Sequence, residues 1–250
     1  MLDEIVTVAN DEVCAAIQAL WESTRLIAEP SGAMGVAAAM KRPEAWKGRR
    51  AVCVLSGANM DFAQLAWIAR HAGVGLDERR YYQFEIGERA GSLLDLLETV
   101  MDGINIIDFQ YGKTDSHRAW PVIGFEASPM ALEMLGRRLD ETSVAHKDVT
   151  LREDVEFRII NYNPALFRLP YFAIVEFPER AGALRDFMRR ARDMASICYF
   201  NYATTGEQVG RALMGFEFDS EDARQRFLRH LDENGPRRRP LSMEVLSAIL

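Results

Sequence analysis

The feature that most constrains this chain is an offset copy of itself. Shifted by 91 positions, residues 81–126 fall on residues 172–217 without a gap, and 15 of the 46 aligned positions are identical. Glu88-Arg89-Ala90-Gly91 lands on Glu179-Arg180-Ala181-Gly182, and Gly124-Phe125-Glu126 on Gly215-Phe216-Glu217. A period this long marks one supersecondary unit built twice, not the short unit of a solenoid. Each copy reads as strand, helix, strand, strand, helix. The strands of copy one are expected at Tyr81–Ile86, Ile104–Tyr111 and Ala119–Glu126, with helices near Gly91–Val100 and Met130–Leu139. Hairpin turns are expected at Thr114-Asp115 and at Thr205-Gly206. Residues 141–170 join the copies and are expected to supply a closing strand. Such a βαββαβ unit places both helices on one face of a sheet and leaves the other face able to pair.

The first 75 residues form a separate region. Ile5–Val8 is a short β-rich run, and Asn10-Asp11 can cap a helix through Val13, Ile17, Leu20 and Trp21. Pro30-Ser31-Gly32 opens a second helix rich in small residues. Ala51–Leu55 reads as a buried parallel strand, ending at Ser56-Gly57-Ala58-Asn59 and followed by a helix over Asp61–Arg70. A boundary is expected near Gly73–Asp77.

The net charge of −7 argues against nucleic acid or an anionic membrane as main partner. No apolar run approaches the ~20 residues that span a bilayer. Three scattered cysteines, Cys14, Cys53 and Cys198, fit reduced thiols in a cytoplasmic protein better than a disulfide framework. The four histidines lack metal-ligand spacing. No nucleophile elbow, phosphate loop or CxxC is present. These absences favour a binding or regulatory device over a reaction centre.

Two kinds of candidate site remain. Ser56 and Gly57 end the expected strand, where α/β folds place ligands; the same residues also serve as an ordinary strand-to-helix turn. Glu29, before the second helix, is either a ligand group or a complement to the helix dipole. The paired loops Glu88–Leu93 and Glu179–Leu184 each put a glycine at a helix entrance. Free backbone N–H groups and the helix dipole there favour a carboxylate, although such a glycine also simply permits a tight turn. In copy one the candidates for an amino-acid ligand are Glu88, Gly91, Ser92, Leu93, Phe109 and Tyr111. In copy two they are Glu179, Gly182, Ala183, Leu184, Phe200 and Tyr202.

Three segments go beyond local pattern. Val13–Ile17, Arg25–Ala33 (RLIAEPSGA) and Leu55–Met60 (LSGANM) resemble the end of the catalytic domain of biosynthetic threonine deaminases. Ile106–Tyr111, Phe177-Pro178-Glu179, Asn201-Tyr202 and Gly215-Phe216-Glu217 resemble that family's regulatory region. The resemblance covers nearly the whole chain, in the family's order. It implies an α+β chain with two ACT-like (ferredoxin-like) subdomains at 80–160 and 165–250. Before them, residues 1–76 would be an α/β remnant of a fold-type II domain binding pyridoxal phosphate. Ser56 would face the pyridine nitrogen of that cofactor in the intact family. The implied effectors are isoleucine and valine, bound at the regulatory region. The implied partners are further copies of the chain or a catalytic domain.

The chain also departs from the family. Its four lysines, Lys41, Lys47, Lys113 and Lys147, do not sit in the Ser-x-Lys context of the Schiff-base lysine. The family's phosphate cup is absent, so this chain alone is expected to bind no cofactor and to be inactive. Arg158–Pro164 replaces a paired glycine before the second subdomain. Two other readings stay open: a ligand-free oligomerisation module, and a lyase completed in trans by a separate N-terminal chain.

Overall fold

A computed structural model of the chain describes residues 3–100, 104–178, 180, 182–191, 194–205 and 207–250. It divides into two units, residues 1–79 and 80–250.

The first unit is helical. α1 (Asn10–Thr24), α2 (Pro30–Lys41) and α3 (Gln64–Gly75) pack on a core of small side chains, including Cys14, Ala16, Ala33, Ala37 and Ala72. The small residues permit close approach: a Cβ on Gly75 would lie 2.1 Å from the Asp11 carbonyl oxygen. α1 starts at Asn10, the residue expected to cap it, so the cap falls one residue earlier, on Ala9. The Ala9 N–H donates to the Glu12 carboxylate at 2.7 Å.

Two expectations fail here. Neither Ile5–Val8 nor Ala51–Leu55 is a strand, and Val52 and Val54 are 91% and 78% exposed. A strand exists only by pairing its backbone, and among the described residues of this unit there is no strand to pair with. α3 also begins later than expected, because the Asp61 carboxylate turns the chain by accepting from the Ala63 N–H at 3.0 Å.

The second unit carries the repeat. Copy one runs β1 (Arg79–Gly87), α4 (Ser92–Val100), β2 (Asn105–Gly112), β3 (Arg118–Ala119), β4 (Val122–Glu126), α5 (Pro129–Glu141) and β5 (Ala145–Asp148). The short α6 (Glu153–Glu156) lies in the joining segment. Copy two runs β6 (Tyr171–Pro178), α7 (Ala183–Ala191), β7 (Ser196–Ala203), β8 (Val209–Glu217), α8 (Glu221–Asn234) and β9 (Arg238–Pro240), followed by α9 (Met243–Ile249). Both copies therefore have the βαββαβ order of ACT-like domains, and the unit is α+β. Trp120-Pro121 splits β3 from β4, since proline lacks the N–H a ladder needs. β5 is the closing strand expected of the joining segment.

The sheet order is β3/β5 beside β1, then β4, β2, β7, β8, β6 and β9. Copy one thus meets copy two through the antiparallel pair β2–β7. Within that pair Gln110 faces Asn201, positions 91 apart and hence equivalent in the two copies. On the helical face Glu98 and Arg189, again equivalents, meet at 2.8 Å. A local dyad therefore passes between Gln110 and Asn201. The repeat extends to fine detail. Both copies carry a bulge at the same place, between Ile106 and Asp108 and between Ile197 and Tyr199. Gly91 and Gly182 both take positive φ, 85° and 80°, which glycine alone adopts freely. Gly124 and Gly215 both lack room for a Cβ, which would lie 2.6 Å from Tyr81 or Phe172.

The inward side chains form one core across both copies, with Phe84, Phe109, Phe125, Phe187, Phe200, Phe216 and Phe227 fully buried. Each such ring contributes roughly 2–3 kcal/mol on burial. The helices do lie on one face, as expected. The opposite face is not left open over β2 and β7, because the joining segment crosses it. Arg158, at φ 54°, bonds the Asp108 carboxylate, the Asn201 side chain and, at 3.0 Å, the Tyr202 carbonyl. One cation therefore holds both copies. Gly112 makes room for this crossing: a Cβ there would lie 2.3 Å from the Asn161 carbonyl.

Candidate functional site

Each strand-to-helix loop of the repeat is built the same way. In copy one the Asp95 N–H donates to the Gly91 carbonyl at 2.9 Å, and Arg89 pairs with Asp95 at 2.9 Å. In copy two the Asp186 N–H donates to the Gly182 carbonyl at 2.9 Å, and Arg180 pairs with Asp186 at 2.7 Å. The loop shape therefore follows from glycine, arginine and aspartate at fixed offsets.

Each loop opens onto a cavity walled by the other copy. The first, of ≈ 40 Å³, is lined by Glu88, Gly91, Ser92, Leu93 and Tyr111 of copy one, and by Met188, Ile197 and Phe216 of copy two. The second, of ≈ 20 Å³, is lined by Phe177, Gly182, Ala183, Leu184 and Tyr202, with Asn105 and Ile106 across from them. The two cavities are related by the dyad. Each has room for only a few waters as it stands.

Their chemistry differs. In the first, the Tyr111 hydroxyl donates to the Glu88 carboxylate. Lys113 Nζ stands 3.9 Å from Glu88 Oε1 and is paired directly with Glu217 of copy two. Lys113 and Glu217 are each only 7% exposed. Burial raises the Glu88 pKa to about 7, against the pull of Tyr111 and Lys113. Burial and the neighbouring Glu88 also push the Tyr111 phenol well above its usual range. Ser92 Oγ lines the same cavity, is buried, and has no hydrogen-bond partner among the described residues. In copy two Ala183 stands at the position of Ser92 and Thr204 at that of Lys113.

Residues 168–244 match the family described as the C-terminal regulatory domain of threonine dehydratase. Residues 1–57 match the pyridoxal-phosphate dependent enzymes. The mitochondrial threonine dehydratase of Schizosaccharomyces pombe is 31% identical over 88% of this chain and 38% of its own. The biosynthetic L-threonine dehydratase of Escherichia coli is 31% identical over 88% of this chain and 44% of its own. The enzyme of Haemophilus influenzae is 28% identical over the same share of this chain and 44% of its own.

The chain is similar to the threonine dehydratases over 88% of its length.

It spans less than half the length of these relatives. Within the dehydratase frame, the sequence-predicted residues divide clearly. Glu88, Gly91, Ser92, Leu93 and Tyr111 converge on one cavity, and Gly182, Ala183, Leu184 and Tyr202 on the other. Glu179 lies outside the described residues, as does Gly206 of the expected second hairpin. Phe109 and Phe200 line neither cavity. They stack on each other at 4.4 Å across β2–β7 and belong to the core. Sequence reading overlooked Lys113, Glu217, Met188 and Ile197. Glu217 was visible only as the last residue of a repeated Gly-Phe-Glu, and charged residues at strand ends ordinarily face solvent.

The residues present do not form a cradle for pyridoxal phosphate. Ser56 is exposed on a segment that belongs to no sheet. Lys41 is held by the Thr7 carbonyl and Glu12, Lys113 is paired with Glu217, and Lys47 and Lys147 are exposed. Glu29 acts structurally: its carboxylate accepts from the Asn59 N–H at 3.1 Å and from the Ser31 hydroxyl at 2.5 Å. A Cβ on Gly57 would lie 2.5 Å from that carboxylate, so the glycine lets the loop sit on it. Among the described residues no group of three metal-ligating side chains occurs, and no helix is long and apolar enough to cross a membrane.

Proposed function

We propose that this chain is the regulatory part of a threonine dehydratase and binds a branched-chain amino acid, isoleucine or valine, as an allosteric effector. The enzyme it would control converts L-threonine to 2-oxobutanoate and ammonia, and residues 1–76, 80–160 and 165–250 would be its catalytic remnant and two ACT-like subdomains. On this reading the chain alone does not deaminate threonine.

The observation that carries this reading is the pair of dyad-related cavities, each with its loop from one copy and its wall from the other. A ligand there contacts both subdomains at once, so its affinity depends on how they are arranged. The cavities are too small for an isoleucine side chain as they stand. Binding therefore selects a more open arrangement, and a ligand that prefers one arrangement shifts the population toward it. The loop glycines and the helix entrances they open suit a carboxylate, and Leu93, Met188, Ile197 and Phe216 suit an aliphatic side chain.

Calorimetric titration of the chain with isoleucine and with valine, and threonine as control, tests the proposal. Saturable heat with a branched-chain ligand and none with threonine is the expected result. No saturable heat at millimolar ligand would refute it.

A further inference from the structure

The two cavities are lined from equivalent positions of the repeat and differ at Ser92, whose counterpart is Ala183. In copy one Ser92 is 6% exposed, and its Oγ lines the cavity with no hydrogen-bond partner. It is the first residue of α4, a nine-residue helix whose entrance is held open by Gly91 at positive φ. An unpaired buried hydroxyl costs stability unless something binds it. Beside it, Glu88 spends one carboxylate oxygen on the Tyr111 hydroxyl. The other, Oε1, lies 3.9 Å from Lys113 Nζ, beyond hydrogen-bond distance, and Lys113 is already satisfied by Glu217. The cavity thus offers one unspent hydroxyl at a helix entrance and one unspent carboxylate oxygen. Copy two offers Ala183 and Thr204 at the matching places of Ser92 and Lys113.

We infer that the chain binds a single free α-amino acid, in the copy-one cavity, with Ser92 Oγ and the α4 entrance holding the ligand carboxylate and Glu88 Oε1 receiving its ammonium. The copy-two cavity stays without ligand and serves as the packing counterpart. This rests on the effector reading above and sharpens it to one site and one specificity-determining hydroxyl. The aliphatic part of the ligand lies against Met188 and Ile197, so the single site still reports on both copies.

The test uses the full chain in calorimetry with isoleucine and with isoleucinol, which keeps the ammonium and side chain but lacks the carboxylate. The expected stoichiometry is one isoleucine per chain. Ser92→Ala weakens isoleucine by roughly tenfold or more, the usual effect of removing a hydrogen bond to a charged group. The same variant leaves the weak binding of isoleucinol unchanged, and Ala183→Ser leaves isoleucine affinity unchanged. Two isoleucines per chain, or equal losses for isoleucine and isoleucinol in Ser92→Ala, would overturn the inference while leaving the effector reading intact. Absence of saturable heat with isoleucine and valine alike would overturn both. A thermal melt of Ser92→Ala that matches the unaltered chain excludes misfolding as the cause of lost affinity.

Discussion

Glu88→Gln gives the most direct measure of what the buried polar cluster costs. The charged and titratable groups facing Glu88 are Tyr111 on β2, Lys113 just beyond it, Asp115 in the turn and Glu217 at the end of β8. Burial dominates, and the pKa rises from 4.5 to about 7. A carboxyl raised in this way keeps its proton in the folded chain where the unfolded chain has already released it. Folding stability from this group is therefore full below about pH 4.5 and is lost as pH rises toward 7. At about 1.4 kcal/mol per pH unit, the deficit above pH 7 is about 3 kcal/mol. Glutamine has nearly the same shape, still accepts from Tyr111, and cannot ionise. Urea unfolding should show Glu88→Gln more stable than the unaltered chain by up to about 3 kcal/mol at pH 8. The difference should shrink toward zero near pH 4.5. A difference that is constant with pH, or an unaltered chain that is the more stable one at pH 8, would refute the reasoning.

Other substitutions probe the joint between the copies. Lys113→Ala strands the buried Glu217 carboxylate and removes the cation beside Glu88, and should cost about 3–5 kcal/mol in denaturant unfolding. Arg158→Ala leaves the Asp108 carboxylate without its guanidinium on a mostly buried face, and should cost about 2–3 kcal/mol and lower the melting temperature. Phe109→Ala opens a hole against Phe200 and should cost about 3–5 kcal/mol; an unchanged melting temperature would show that the stacked pair carries no load.

Much of the second unit could be read in advance because its determinants are local. A glycine that must take positive φ, an arginine and an aspartate six residues apart, and strands with inward aromatics fix each loop and each core face. Whether an inward ring meets a cavity or another ring depends on the neighbouring strand, and so Phe109 and Phe200 were misplaced. Arg158 sits in a run that reads as loop, and nothing local says that its guanidinium will reach β2 and β7 across the back of the sheet. Lys113 was equally hidden, since a lysine after a strand normally faces water, and only Glu217 of the other copy makes its burial tolerable. In the first unit Ala51–Leu55 has the composition of a strand, but composition supplies no backbone partner.

The dyad through Gln110 and Asn201 has a thermodynamic consequence. A contact centred on equivalent residues is self-complementary, the kind that two separate identical molecules form as a symmetric dimer. Such a dimer would come apart on dilution. Written into one chain, the same contact is governed by an effective concentration on the order of millimolar that dilution cannot change. The tether also ends the equality of the halves, because the single Arg158 can come from only one connecting segment. With two halves that need not be identical, one carries a serine and a lysine where the other carries an alanine and a threonine.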